Sequence, residues 1–123
     1  MKMETGCAME REFILLQEFE RQWSRLGFND DDLGELQTEI KKDPKLGSVI
    51  PGTGGLRKMR FAFEGRGKSG GARVLYIDLL VAEVVYLITA YAKGEKEDIS
   101  DAERNAYKRL IKKIKNEFGG EEQ

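Results

Sequence analysis

Histidine does not occur in this 123-residue chain. Its absence excludes His-based triads, His metal ligands and His acid–base pairs. Cysteine occurs once, as Cys7, so no internal disulfide can form and a zinc site lacks its usual ligands. No apolar run approaches the roughly 18 residues of a membrane span. The opening MKMETGCAMEREF has no apolar stretch after its lysine, unlike a secretion signal. These absences lead to the expectation of a cytoplasmic protein without a metal or other cofactor. Any catalysis in it would use Lys, Arg, Tyr, Asp or Glu.

What is present fits one modest domain, with 35% charged and 40% apolar residues. The domain is expected over residues 11–118, with residues 1–10 and 119–123 as tails. A net charge of −1 hides a strong segregation. Residues 41–76 hold nine bases (Lys41, Lys42, Lys45, Arg57, Lys58, Arg60, Arg66, Lys68 and Arg73) against Asp43 and Glu64. That is a net of +7, leaving −8 elsewhere. A local basic patch attracts polyanions even on a nearly neutral chain.

The pattern along the chain is α+β. REFILL, residues 11–16, reads as a strand and fits a helix start equally. From Glu18, Phe19, Trp23 and Leu26 recur at helical spacing until Gly27. Asn29 or Asp30 can cap a second helix, with Leu33, Leu36 and Ile40 as its buried stripe and Pro44 beyond its end. PKLGSVIPGTGG, residues 44–55, is a loop. In residues 56–64, Met59, Phe61 and Phe63 share one strand face, while Lys58, Arg60 and Glu64 share the other. That alternation predicts a strand packed on the two helices on one side and open on the other. After the loop GRGKSGG, residues 72–78 and 83–91 are apolar on both faces, as buried strands are. Ser100-x-x-Glu103 opens a last helix with a capping box. Ala106, Leu110, Ile114 and Phe118 are its expected apolar face.

AFEGRGKS, residues 62–69, approximates a nucleotide-binding P-loop. Such a loop must follow a buried parallel strand and open directly into a helix. Here a half-charged strand precedes it and a strand-like GGARVLYID follows, so nucleotide hydrolysis is rejected. The carboxylates Asp30–Asp32 and Glu95, Glu97 and Asp98 stand where helix N-termini favour acids, and capping explains them better than a metal. The basic strands have two readings of equal weight from pattern alone. Lys58 and Arg60, two residues apart, lie about 7 Å apart on one face and can grip a phosphate backbone. They can equally be ordinary solvent-facing strand residues.

GTGGLRKMRF, GRGKSGGARVLYI and VYLITAYAKGEKEDISDAE together resemble the RelE/HigB family of bacterial toxins, in its HigB-like branch. The resemblance runs from about Phe13 to the end of the last helix. It implies a small, mainly antiparallel sheet with two N-terminal helices and one C-terminal helix. It also implies a ribosome-dependent endoribonuclease that cuts mRNA in the ribosomal A site and is neutralised by a helix-turn-helix-type antitoxin. By position, Lys58, Arg60 and Arg73 match the family's basic residues around the scissile phosphate, and Lys93 begins its second catalytic segment. Arg57, Arg66 and Lys68 are expected as further RNA-binding cations. Gly94 stands where a RelE-type arginine is expected and Ser100 near the place of a late catalytic tyrosine; the HigB-like branch often lacks both. The implied reaction is attack of the RNA 2′-OH on the adjacent phosphate, with arginines stabilising the dianion. Lys58 or Lys93 would exchange the proton if neighbouring cations depress its pKa. The alternative is a non-catalytic RNA- or ribosome-binding module using the same patch.

Overall fold

The computed structural model describes residues 11–61, 71–92, 94–95 and 98–118. Its elements run β1 (Glu12–Leu15), α1 (Gln17–Arg25), α2 (Asp30–Lys42), β2 (Ser48–Val49), β3 (Arg57–Phe61), β4 (Ala72–Leu79), β5 (Val84–Ala92) and α3 (Asp101–Glu117). One five-stranded sheet has the order β1-β5-β4-β3-β2. Only β1 pairs in parallel, with β5; the other neighbours are antiparallel. The α+β class and the mainly antiparallel sheet are as the sequence indicated. Among the described residues no helix is long and apolar enough to cross a membrane.

β4 and β5 are the centre. Val74, Leu75, Tyr76 and Ile77 are all buried, as are the eight residues from Val84 to Tyr91. A strand apolar on both faces needs cover on both sides. On one side α1, α2 and the turn between them supply Phe19, Trp23, Phe28, Leu36 and Ile40, packed over Met59, Phe61, Val74 and Tyr76. The Trp23 ring stacks 5.2 Å from Phe19 and lies 4.2 Å from Phe28. On the other side α3 lays Ile111 and Ile114 over Leu56, Leu75, Ile77 and Ile88.

That second layer covers β4 and β5, whose apolar residues on that side are too many to leave wet, while β3 keeps Lys58 half-buried and Arg60 exposed on its far face. The same layer also shifts the stripe of α3. Ala106 and Phe118 are exposed, and Tyr107, Leu110, Ile111 and Ile114 face the sheet instead. Counting strictly by fours drifts off one face of a 3.6-residue helix, whereas steps of three and four stay on it. Both predicted caps are present: Asn29 with Asp32 on α2, and Ser100 with Glu103 on α3.

The loop before β3 is tied down from several directions. Tyr76 donates its hydroxyl to the Pro44 carbonyl and accepts the Gly47 N–H, both at 2.9 Å. Thr53, fully buried, donates to the Ile50 carbonyl at 2.6 Å and accepts from Leu56 N–H at 3.0 Å. From α3, Arg104 donates to the Pro51 carbonyl at 2.6 Å and Lys115 to the Gly54 carbonyl at 2.8 Å. Gly54 has φ +84°, and a Cβ there would meet Ile111. This part of the glycine-rich stretch therefore turns the backbone under α3. β2, unforeseen in the loop, is two residues whose pairing with β3 is permitted by close approach: a Cβ on Gly47 would stand 3.0 Å from the Lys58 carbonyl.

Where the chain enters β1, Arg11 Nε donates to Asp78 of β4 at 2.8 Å, and the two side chains are only 6% and 7% exposed. The bond to Asp78 raises the guanidinium pKa above its ordinary value, with burial opposing. Removing one partner of such a pair strands a buried charge, which costs about 3–5 kcal/mol. Asp78→Ala is therefore expected to lose most of that amount in a urea or guanidinium unfolding titration.

Candidate nucleic-acid interface

Odd and even positions of β3 part company across the sheet. Met59 and Phe61 enter the core under α1 and α2, which turns Lys58 and Arg60 to the α3 side. On that side Arg60 lies directly opposite Arg73, and Lys58 opposite Leu75. Arg73 in turn lies opposite Tyr91 on β5. On this face Leu56, Leu75, Ile77 and Ile88 are buried with Ile111 and Ile114 of α3, whereas Lys58 and Arg73 are half-buried and Arg60 is exposed, and these three form a cationic strip.

The strip violates a rule of sheet pairing. Like charges directly opposite one another on a sheet face destabilise it, yet two arginines are paired here by register. Arg73 Nε is also buried and has no hydrogen-bond partner among the described residues. Buried donors are nearly always satisfied. Two opposed guanidiniums, one with an orphaned buried donor, are what a site for an anion requires, because an anion screens the repulsion and accepts the bond. Local conflicts of this kind mark functional positions.

The predicted residues do not all arrive together. Lys58, Arg60 and Arg73 do. Arg57 is on the other face, where its guanidinium donates to the Gly47 carbonyl at 2.7 Å and the Lys45 carbonyl at 3.4 Å. Its structural work is to hold the loop before β3. Lys93, Arg66 and Lys68 lie outside the described residues, as does the segment 62–69 that approximates a P-loop. The flanking strands β3 and β4 match the reasons for rejecting that motif.

Two residues at the strip were not among the predicted site residues. Tyr91, opposite Arg73, reads in sequence as one more apolar strand residue; burial first, then Asp98, raises its pKa. Its place two residues before Lys93 in the sequence was the available signal. Asp98 Oδ1 stands 3.5 Å from Lys58 Nζ. The Ile99 N–H foremost, and Lys58 next among the favourable contacts, hold the Asp98 carboxyl below its ordinary value against some desolvation. Asp98 precedes the Ser100 cap and so does not cap α3. Glu95 is not a cap either: it bonds Arg25 at 2.9 Å and accepts the Ala92 N–H at 2.8 Å. Ser100, near the place of a catalytic tyrosine, is spent as the α3 cap.

Beside Tyr91, between α1 and α3, opens a cavity of about 320 Å³ lined by Glu18, Thr89, Glu95, Glu103 and Tyr107 among others. Glu18 accepts hydrogen bonds there from Thr89 at 2.7 Å and Tyr107 at 3.4 Å. Burial, then this carboxylate, raises Tyr107 strongly. Its acidic lining repels phosphate, which leaves the strip as the candidate surface for a polyanion. Among the described residues no three His, Cys, Asp or Glu gather to hold a metal ion.

Comparison with known proteins gives this geometry its context. The family model described as the RelE toxin of the RelE/RelB toxin–antitoxin system matches residues 13–119. The chain belongs to the RelE toxin family. Among solved structures it resembles a free-state Escherichia coli RelE toxin with two arginines changed to alanine, at 16% identity and TM-score 0.56, over 82% of this chain and 96% of that one. It also resembles the isolated E. coli RelE toxin at 17% identity and TM-score 0.51, over 82% and 99%. At such identity these structures speak for the fold alone. RelE-family membership makes the chain the toxin of a toxin–antitoxin pair, with an antitoxin as its partner.

If the strip grips phosphates, each lost contact lowers the salt dependence of binding. Arg60→Ala is expected to weaken binding of a fluorescent single-stranded RNA and to reduce the slope of log affinity against log salt by about 0.7. An anisotropy titration across sodium chloride concentrations measures both.

Proposed function

We propose that this toxin is an endoribonuclease that cleaves mRNA in the ribosomal A site and so stops translation. The observation that carries the reading is the register pairing of Arg60 with Arg73, with Lys58 beside them, on the uncovered end of a sheet face. In this reading the RNA 2′-OH attacks the adjacent phosphorus and the bond to the 5′ oxygen breaks. One fragment ends in a 2′,3′-cyclic phosphate and the other begins with a 5′-OH. Charge develops on the non-bridging oxygens, and Arg60 and Arg73 offer preorganised donors to it. Arginine stays protonated at every working pH, so it serves as an electrophile and never as a base. Lys58 and Lys93 are the side chains assigned to proton exchange with the 2′ and 5′ oxygens.

The reaction is read as metal-independent. The chain has no histidine, and the guanidiniums supply the positive charge that a metal ion would otherwise bring. A site that works by charge and orientation suits an enzyme whose substrate is held in line by the ribosome. The HigB-like branch is favoured by GTGGLRK, GKSGGARV and YAKGEKEDIS. With it goes a helix-turn-helix antitoxin that masks the strip. Arg57 is set aside as an RNA contact, and Arg66 and Lys68 remain proposed ones.

Mapping RNA 5′ ends after induction tests the reading. New ends inside reading frames, abolished by Lys58→Ala or Arg73→Ala, are expected. On purified ribosomes each variant should lose about 100-fold or more in cleavage rate. Growth arrest without new 5′ ends would replace catalysis with binding alone.

A further inference from the structure

Asp98 has no evident reason to be where it is. It lies two residues ahead of the Ser100 cap and takes no part in the capping box. Its partner Lys58 is 28% exposed and Asp98 itself 55%, and ion pairs so open contribute about 0–1 kcal/mol. Stability is therefore a weak motive. Affinity is a worse one, because a carboxylate beside three cations opposes the approach of a polyanion.

The two ends of the pair are unequally held. Asp98 Oδ1 accepts the Ile99 N–H at 2.9 Å, and Ile99 is buried in the core beneath α3. Lys58 hangs on a flexible four-carbon stem. The fixed member is the carboxylate, and the member that gains an orientation is the lysine. Arg104, the other cation acting on Asp98, is already committed to the Pro51 carbonyl at 2.6 Å.

We propose that Asp98 is a positioning residue, holding the Lys58 ammonium beside the Arg60–Arg73 pair so that it meets the RNA already oriented. This rests on the functional reading of the strip given above. An ammonium carries three N–H donors; directing one at Asp98 leaves two to face the substrate. Because the carboxyl pKa is lowered, the carboxylate that does the holding is present above the ordinary range near 4 and is lost only as pH falls through its lower folded value. The hold is constant at neutral pH.

Asp98→Asn separates positioning from plain electrostatics, because the two predict opposite signs. It keeps an acceptor for Ile99 and removes the charge. Electrostatics alone predicts tighter RNA binding and cleavage at least as fast. Positioning predicts a kcat about 10- to 100-fold lower, a KM unchanged or reduced, and an unchanged thermal midpoint. Asp98→Glu, which restores the charge, should recover most of the lost rate. The measurement is cleavage of mRNA on programmed ribosomes with wild type, Asp98→Asn, Asp98→Glu and Lys58→Ala side by side. A fast Asp98→Asn, a loss confined to KM, or equal losses in Asn and Glu would overturn the proposal. Wild type without cleavage, or an active Lys58→Ala, would instead sink the functional reading itself.

Discussion

Pairing of β4 with β5 is the constraint from which the rest of the molecule follows. Both strands are apolar on both faces, so neither can exist without a layer on each side. α1 and α2 form one layer and α3 the other. The ladder runs from Ala72 opposite Ala92 to Leu79 opposite Val84, and β3 joins it at the Ala72 end. On the α3 side the apolar residues give way there to Arg60 and Arg73, while Phe61 and Ala72 stay buried on the other. What is left uncovered there is the cationic strip.

A second consequence concerns rigidity. Catalytic side chains on strands are placed more precisely than those on loops, and here even the loop leading into β3 is fastened. Tyr76 and Arg57 hold it at the Pro44–Gly47 end, while Arg104 and Lys115 hold it from α3. Lys58 and Arg60 thus emerge from a backbone anchored to both layers. The charge conflict between Arg60 and Arg73 is tolerable because so much apolar burial elsewhere keeps their strands in register.

Local patterns were legible in the sequence, and tertiary choices were not. The alternation around Met59 and Phe61 announced which way Lys58 and Arg60 would face, because a two-residue period belongs to the strand alone. The Asn29 and Ser100 caps were visible for the same reason. Arg57 was harder: its parity could be read, but its carbonyl partners belong to a loop ten and twelve residues away. The cover provided by α3 required weighing how much apolar surface β4 and β5 expose on their second face. Asp98 could not be found by pattern, since what gives it meaning is a lysine forty positions earlier in the chain.

The ladder between β4 and β5 is not perfect, and its flaw has a use. Leu75 lies opposite Thr89 while the next residue, Tyr76, lies opposite Leu87, so Ile88 is an extra residue on β5. A bulge of this kind reverses which residues of the strand face each way from that point on. Before it, Leu87 belongs to the layer under α1; after it, Ala90 does, and Tyr91 turns to the side of Arg73. The make-up of the site is thus partly a matter of register. Were the ladder regular from Leu87 onward, the methyl of Ala90 would stand against Arg73 in place of Tyr91, with every charged side chain of the strip still in the sequence.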